Sequence, residues 1–240
     1  MFTLLVTGTI SPPNQVPFLE LKDETARYKQ YKESILNLLE SRYINKLIFC
    51  ENSGSEIELD HFKEKAMSYN KQFEYITFEA DDRNITSNGK GFGEGEIILY
   101  ALNNSELLRS EKFFFKLTGR LNITNIDNIL KESVEGVNYF NRVEFFRKNN
   151  KVDTRFYGVN ISDYLSYLAS AYESVRDNDG RYLEHVFYER LSNSNLIHRS
   201  TVYYPRFTGI SGSSGNSYAI SYASFFVKNF ITRICKLKIN

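Results

Sequence analysis

The sequence has 240 residues, a length that suits one α/β domain with a full hydrophobic core or two small domains. Its 30 Lys and Arg residues nearly balance its 29 Asp and Glu residues, and the net charge of +1 argues against a general nucleic-acid binder that works by phosphate neutralisation. The 2 cysteines, Cys50 and Cys235, lie far apart without metal-ligand spacing, which argues against a zinc cluster or a disulfide framework. We therefore expect a cytoplasmic protein that binds no nucleic acid.

The first segment, "MFTLLVTGTISPP", begins the series of predicted elements. It has no basic region at its start, and its apolar run is too short for a secretion signal or a membrane-spanning helix. It therefore predicts a buried first strand that ends at a glycine.

Strand-like and helix-like segments alternate through the first half of the chain. The stretch "DETARYKQYKESILNLLES" predicts an amphipathic helix, because Tyr28, Tyr31 and Ile35 share one face. This helix is followed by a strand and turn in "NKLIFCENSG", a short helix in "DHFKEKAMSYN" and an alternating strand in "FEYITFEA". This alternation predicts an α/β fold with a mostly parallel central sheet flanked by helices.

The glycine-rich stretch "NGKGFGEGE" predicts a loop that opens the helix "GEIILYALNNSELL". Glycines let backbone N–H groups approach a ligand, the helix N-terminus favours an anion, and Lys90 adds a positive charge beside Gly91. The alternative is a tight turn with no ligand. The stretch is neither a Walker A motif, since no Gly-Lys-Ser/Thr ends it, nor a dinucleotide fingerprint, since it does not directly follow a first strand.

The remaining segments complete one domain. "FFFKLTGRLNI" predicts a strand buried on both faces, "VNYFNRVEFFR" and "KVDTRFYGV" predict strands, and "SDYLSYLASAYESV" and "GRYLEHVFYERLSN" predict helices. We expect a single domain over residues 1–240, with halves at 1–125 and 126–220 and an aromatic, basic tail at 221–240.

Small or polar loops follow the early strands: "TGTISPP", "ENSGSE", "ADDRNITSNGKGFGEG" and "KLTGR". In an open parallel sheet, ligands bind beyond the carboxyl ends of the strands, where such loops meet. We therefore expect these loops to form one ligand-binding rim.

This order of elements resembles the nucleotide-binding half of GT-A glycosyltransferases. The segments "FFFKLTGRLNI", "VDTRFYG" and "RYLEHVFYERL" are similar to a set of small bacterial glycosyltransferase-like proteins found with capsule and lipopolysaccharide genes, and the resemblance covers roughly residues 2–218. It implies a GT-A-like (Rossmann-like) fold, a nucleotide-sugar donor bound by the first half, and a glycan or lipid-linked oligosaccharide acceptor bound by the second.

The resemblance places the nucleoside beside the residues that follow the second strand, which here read "ENSG". The ends of the first two strands carry small or polar side chains that can meet a base and a ribose. We expect the nucleotide pocket to be lined by Thr7, Gly8, Thr9, Glu51, Asn52 and Ser53.

The sequence departs from the GT-A pattern at the end of the fourth strand. Enzymes of that fold usually carry Asp-x-Asp there to hold a divalent metal, whereas this chain has Leu117-Thr118-Gly119-Arg120. Guanidinium and ammonium groups can neutralise a diphosphate instead, and strand alternation predicts that Lys116, Thr118 and Arg120 share one face. The alternative is that Lys116 and Arg120 are solvated charges at a strand exit. The expected diphosphate and sugar contacts are Lys90, Gly91, Lys116, Thr118, Gly119, Arg120, Arg155 and Arg206.

Two other acidic pairs are candidate metal ligands. Asp177-Asn178-Asp179 has the Asp-x-Asp spelling, but Gly180 follows it and predicts a turn. Asp81-Asp82 follows the third strand and fits a solvated loop. Neither pair has a spacing that specifies a metal, so we expect no cofactor, with a divalent metal as the open alternative.

The resemblance also implies the catalytic group. Inverting GT-A enzymes place an acidic pair at the start of a helix near the transferred sugar, and the matching pair here is Glu184-His185. Either side chain could remove the acceptor's hydroxyl proton in a partly desolvated cleft. The alternative is an ordinary helix with both side chains exposed.

The tail contains aromatic side chains together with the basic residues Lys228, Arg233, Lys236 and Lys238. That pattern fits a helix lying on an anionic membrane surface and equally fits a helix packed on its own domain.

The sequence favours a metal-independent, inverting glycosyltransferase of bacterial surface-polysaccharide assembly, located in the cytoplasm or at the inner face of the plasma membrane. Two alternatives stay open: a catalytically inactive nucleotide-sugar or glycan-binding protein of the same fold, and a nucleotidyltransferase.

Overall fold

The computed structural model describes residues 1–13, 20–142, 150–210 and 217–235. A seven-stranded sheet with the order β3-β2-β1-β4-β7-β6-β8 forms the centre of this part, and a two-stranded sheet pairs β5 with β9. The strands are β1 (Phe2–Gly8), β2 (Ile44–Glu51), β3 (Gln72–Thr77), β4 (Phe113–Thr118), β5 (Asn122–Ile123), β6 (Asn138–Tyr139), β7 (Phe156–Asn160), β8 (His198–Arg199) and β9 (Phe207–Thr208).

The helices are α1 (Glu24–Leu38), α2 (Asp60–Ser68), α3 (Asp82–Asn88), α4 (Lys90–Asn104), α5 (Glu106–Arg109), α6 (Ile126–Lys131), α7 (Ile161–Asp163), α8 (Leu183–Ser192) and α9 (Tyr222–Cys235). A π-helical turn at Tyr164–Leu168 follows α7, and 3₁₀ turns occupy Ala171–Ser174 and Asp177–Asp179. None of the helices within the described ranges combines the length and the apolar character that a membrane crossing requires.

Parallel pairing dominates the sheet. Strand β1 lies between β2 and β4 and is parallel to both, and β2 is parallel to β3. Only β7 runs antiparallel to its neighbours β4 and β6 within the described sheet. The predicted α/β fold, with a mostly parallel central sheet flanked by helices, is thereby confirmed.

Helices cover both faces of the sheet because successive side chains of a strand point to opposite sides. Leu4 packs with Tyr31 and Ile35 of α1 in one buried cluster. Its neighbour Leu5 packs with Ile98 of α4 in a second cluster on the other face. This burial on both sides explains why β1 and β4 are almost continuously apolar.

The predicted glycine-rich loop is wrong. Gly89 is the N-cap residue with a φ of 101°, and α4 begins at Lys90, so that Gly91, Gly93 and Gly95 lie inside the helix. Each helical glycine costs about 1 kcal/mol relative to alanine. Here the close approach of neighbouring segments outweighs that cost, since a Cβ at Gly95 would lie 2.1 Å from the Cβ of Tyr172.

Replacing Gly95 by Ala tests this packing role. We expect the free energy of unfolding to fall by about 1 kcal/mol or more, because overpacking typically costs about 1–3 kcal/mol and exceeds the gain in helix propensity. Gly93→Ala is the matched control on the same helix, since the atom nearest to its added Cβ is 3.3 Å away on the side chain of Asn52. Urea denaturation would measure both variants, and equal stability of Gly95→Ala and wild type would contradict the packing role.

The second half is less regular than the sequence predicts. The expected helix "SDYLSYLASAYESV" is divided between α7, the π-helical turn and a 3₁₀ turn. Its buried residues still follow a helical spacing, at Tyr164, Leu168, Ala171 and Val175. The expected strand "VNYFNRVEFFR" is reduced to β6 within the described residues, and residues 143–149 lie outside them.

Candidate functional site

A cavity of about 540 Å³ opens at the carboxyl ends of β1, β2 and β4. This is the position where open α/β sheets bind ligands. The first half contributes Thr7, Gly8, Thr9, Pro12, Pro13, Arg27, Tyr31, Asn52, Ile85, Lys90, Gly91, Gly93, Glu94, Ile97, Thr118 and Arg120 to its wall, and the second half contributes Lys151, Thr154, Arg155, Asp177, Tyr182, Leu183, Glu184 and Tyr218.

The loops after β1 and β2 form one side of the cavity. Thr9 donates its hydroxyl to Oδ1 of Asn52 over 2.6 Å, which ties the two loops together. Arg27 of α1 donates from Nε to the backbone oxygen of Thr9 over 2.8 Å. Of the residues predicted to line a nucleotide pocket, Thr7, Gly8, Thr9 and Asn52 therefore do face a common cavity.

Glu51 and Ser53 do not line that cavity, contrary to the prediction. The Glu51 side chain is fully buried and accepts the backbone N–H groups of Ser53 and Ser55, each over 2.9 Å. It also accepts the hydroxyl of Thr77. These bonds satisfy the buried carboxylate and shape the turn after β2, so Glu51 organises the loop that presents Asn52.

Cationic side chains converge on the cavity from three elements. Arg27 comes from α1, Lys90 from the start of α4, and Arg120 from the turn after β4, where it is only 9% exposed. Burial lowers the pKa of Lys90; the charges of Asp177 and Glu184 raise it, and the smaller effects of Arg120 and Arg27 lower it. Burial and the charge of Arg120 likewise lower the pKa of Arg27. The three cations therefore influence one another across the cavity, and Asp177 and Glu184 partly balance the charge of Lys90.

Lys116 is not part of the cavity wall. Its side chain is fully buried and forms an ion pair with Glu94 of α4. The ammonium also donates to the Thr118 hydroxyl over 3.1 Å and to the backbone oxygen of Thr154 over 2.7 Å. A lysine satisfied in this way is a structural cation beneath the site, in contrast to the predicted diphosphate contact.

The predicted shared face of Lys116 and Arg120 is also wrong. Strand alternation ends at Thr118, because Gly119 turns to donate its N–H to the backbone oxygen of Thr7 over 2.8 Å. Arg120 consequently donates to the side chain of Gln30 on α1, over 3.1 Å, on the opposite side of the sheet from α4. Gly119 supports the rim without lining the cavity.

A carboxylate does stand at the end of β4, although the local sequence there has none. Glu94 reaches this point from α4 and accepts the hydroxyls of Thr118, over 3.0 Å, and of Thr7, over 3.2 Å. The sequence does not reveal Glu94 at this position, because the glycine stretch predicts a loop. On a helix, the i, i+4 spacing of Lys90 and Glu94 places both on one face.

The Asp177 side chain lies at the N-terminus of α4, where the sequence predicts a bound anion. Its Oδ2 accepts the N–H of Gly91 over 3.4 Å. Burial raises the pKa of Asp177, and the charge of Lys90 partly offsets this effect. A Cβ at Gly89 would lie 2.2 Å from Oδ2 of Asp177, so the glycine leaves room for this carboxylate. A group from the same chain therefore fills the helix-terminal anion position.

Glu184 and His185 have different environments. Glu184, in the first turn of α8, lines the cavity, and burial together with the charges of Glu94, Asp153 and Asp177 raises its pKa. The ring of His185 lies outside the lining, because its Nδ1 accepts the backbone N–H of Tyr182 over 3.2 Å. The structure brings Glu184, and not His185, to the cavity.

The two remaining predicted arginines also differ in position. Arg155 lines the cavity and is held by Asp153, to which it donates over 2.9 and 2.7 Å. Its guanidinium lies 4.2 Å from the centre of the Phe207 ring. Arg206 does not line the cavity and stacks instead over Tyr222 of α9, 3.9 Å from the ring centre.

The two acidic pairs that are candidate metal ligands make other contacts. Asp81 caps α3 by accepting the N–H of Arg83 over 2.9 Å, and Asp177 caps α4. Throughout the part of the chain that the structure describes, no group of three or more His, Cys, Asp or Glu side chains could hold a metal ion.

No family model and no curated protein matches this chain. Solved structures do match it, 56 chains in all. The glycosyltransferase GlyE of Streptococcus pneumoniae TIGR4 is 11% identical with a TM-score of 0.48, and the match covers 82% of this chain and 44% of GlyE. A putative nucleotide-diphospho-sugar transferase from Desulfovibrio desulfuricans G20 is 12% identical with a TM-score of 0.47, and the match covers 82% of this chain and 79% of that one.

The nucleoside-diphosphate-sugar pyrophosphorylase from Vibrio cholerae RC9 is 15% identical with a TM-score of 0.45, and the match covers 82% of this chain and 90% of that one. The likeness concerns the fold only, and this chain spans less than half the length of GlyE.

Proposed function

We propose that this protein is a glycosyltransferase that moves a sugar from a nucleotide-sugar donor to a glycan or lipid-linked acceptor. One observation carries the proposal: Arg27, Lys90 and Arg120 converge at the strand-end cavity that also contains the partly buried carboxyl group of Glu184. Converging cations suit a diphosphate, and a partly desolvated carboxylate suits proton removal from an acceptor hydroxyl.

The donor occupies the cavity with its nucleoside at the loops after β1 and β2. Thr9 and Asn52 offer hydroxyl and amide groups to a base and ribose. The diphosphate lies among the cations, whose charge it balances. The cavity volume of about 540 Å³ supports this size of ligand, since pockets for small molecules typically measure about 300–1,000 Å³.

The transfer is metal-independent and inverts the anomeric configuration. Glu184 takes the proton of the acceptor hydroxyl while the acceptor oxygen forms a bond to the anomeric carbon. The bond from that carbon to the diphosphate oxygen breaks, and its electron pair leaves with the nucleoside diphosphate. Lys90 and Arg120 stabilise the negative charge that develops on the leaving group.

The role in bacterial capsule or lipopolysaccharide assembly draws on the resemblance of "FFFKLTGRLNI", "VDTRFYG" and "RYLEHVFYERL" to proteins of such gene clusters. A peripheral contact with the inner face of the plasma membrane would bring a lipid-linked acceptor to the site. Helix α9 supports this, because it exposes Tyr222, Phe226 and Phe230 by 66%, 65% and 65%. No Asp or Glu follows Glu189, so the tail suits an anionic lipid surface.

A thermal-shift screen of nucleotide sugars tests the proposal. A donor that is present at about 100 times its dissociation constant should stabilise the protein by about 2.7 kcal/mol. Free sugars and inorganic phosphate are the controls. If no nucleotide or nucleotide sugar stabilises the protein, the proposed function is wrong.

Activity should survive chelation. We expect donor hydrolysis, or transfer to an acceptor, to proceed equally with and without EDTA, because the countercharge comes from side chains. Strict dependence on added Mn²⁺ or Mg²⁺ would refute metal independence. Donor binding without turnover would identify an inactive binding protein, and synthesis of a nucleotide sugar from a nucleoside triphosphate and a sugar phosphate would identify a nucleotidyltransferase.

A further inference from the structure

We propose that Glu94 binds the hydroxyl groups of a sugar ring in the donor and so replaces, from helix α4, the carboxylate missing at the end of β4. This inference rests on the proposed function, because it requires a nucleotide-sugar donor in the cavity. In that cavity, Glu94 would recognise hydroxyl groups of a donor ring at the end of β4.

The Glu94 carboxylate is held through one oxygen. Its Oε1 accepts the hydroxyls of Thr7 and Thr118, over 3.2 and 3.0 Å, and also accepts the ammonium of Lys116. Every hydrogen bond that the described residues make to this carboxylate reaches Oε1. The side chain retains 20% exposure and lines the cavity, so Oε2 is the atom that can accept from a ligand.

The charge of Glu94 determines the kind of ligand. The fully buried Lys116 already balances the carboxylate, so a neutral hydroxyl is a better matched partner than a second cation. An ionised carboxylate only accepts hydrogen bonds and repels phosphate. A ring hydroxyl, or a pair of adjacent hydroxyls, therefore fits Glu94, while the diphosphate fits Arg120 and Lys90.

Helix α4 presents backbone to the cavity beside this carboxylate. Gly91 and Gly93 line the cavity, although their missing side chains do not themselves open it, since a Cβ at Gly91 would lie 3.0 Å from Leu183 and one at Gly93 would lie 3.3 Å from Asn52. A ring lying over these glycines can approach the helix backbone while its hydroxyls reach Glu94. The donor contains two such rings, the ribose and the transferred sugar, and the carboxylate chemistry is the same for both.

A thermodynamic cycle tests the proposal. Isothermal titration would compare the best-binding nucleotide sugar with its 2′-deoxy and 3′-deoxy ribose analogues and with analogues deoxygenated in the transferred sugar. Wild type should lose roughly 10- to 100-fold in affinity for at least one analogue, because a charge-assisted hydrogen bond is removed. Glu94→Gln should bind the parent donor more weakly and bind that analogue about as well as the parent.

Glu96→Gln is the matched control, since Glu96 lies on the same helix outside the cavity lining and should behave as wild type. If Glu94→Gln is poorly folded by circular dichroism, Glu94→Asp replaces it: the shorter carboxylate keeps the charge that balances Lys116, and it should lose most of the difference in affinity between the donor and that analogue. Equal affinity of wild type for the donor and all the analogues would overturn the inference while leaving the proposed function intact. An undiminished analogue effect in folded Glu94→Gln would also overturn it. Failure of wild type to bind any nucleotide sugar would overturn both.

Discussion

Replacing Glu184 by Gln is expected to lower kcat by roughly 10²-fold or more and to leave the donor dissociation constant nearly unchanged. The amide keeps the shape of the side chain and removes its basicity. Because Glu184 lines the cavity and His185 does not, His185→Ala should reduce kcat less. Steady-state kinetics combined with titration of the donor would separate the effect on turnover from the effect on binding.

The pH profile gives an independent readout of Glu184. Burial raises its pKa above the ordinary value of 4.5, so the carboxylate needs a higher pH to become an ionised base. We expect kcat/KM to rise with pH through this raised pKa and to level off above it, and the acid limb should disappear from the residual activity of Glu184→Gln.

Glu189→Gln provides the control for Glu184, because Glu189 lies on the same helix, is 45% exposed and pairs with Arg181 at the surface. It should keep the wild-type rate and pH profile. Wild-type turnover in Glu184→Gln, or a product that retains the anomeric configuration of the donor, would show that Glu184 is not the base of an inverting transfer.

Replacing Arg120 by Ala should weaken donor binding by about 2 kcal/mol or more, which is roughly 30-fold in the dissociation constant. Arg120 is 9% exposed, so a diphosphate beside it would lose a charge-assisted partner with little solvent to compensate. Isothermal titration with the donor measures this change. The corresponding nucleoside, which has no diphosphate, should bind the variant and wild type equally.

Arg83→Ala is the control for a general effect of lost positive charge, since the Arg83 side chain is 90% exposed and pairs only with Asp81 in the described structure. It should bind the donor as wild type does. If Arg120→Ala binds the donor within a factor of two of wild type, Arg120 does not contact the diphosphate, and Lys90 and Arg27 would have to supply the countercharge.

The glycine stretch shows where local rules fail. Glycine has low helix propensity, so "NGKGFGEGE" predicts a loop, and the close packing of other segments, such as Tyr172 against Gly95, explains why glycines occur in this helix. The change from loop to helix moves Glu94 onto the cavity face. It also places the α4 N-terminus against Asp177, a residue 86 positions away from Gly91 in the chain.

The sequence by itself determined the alternating elements from β1 to β4 and the rim on which Thr7, Asn52, Lys90 and Arg120 meet. These features depend on apolar periodicity and on the rule that parallel strands end at one edge, and both can be deduced locally. Only the tertiary structure decided which polar side chains face the cavity and which ones support it.

Glu51 and Lys116 are polar residues next to the rim, as are Asn52 and Thr118, and nothing in the local pattern distinguishes the two pairs. Their roles depend on partners from distant segments: Thr77 bonds to Glu51, and Glu94 pairs with Lys116. A buried charge must be matched by whichever group the fold brings to it. Which charges remain available to a ligand is therefore a property of the packed molecule.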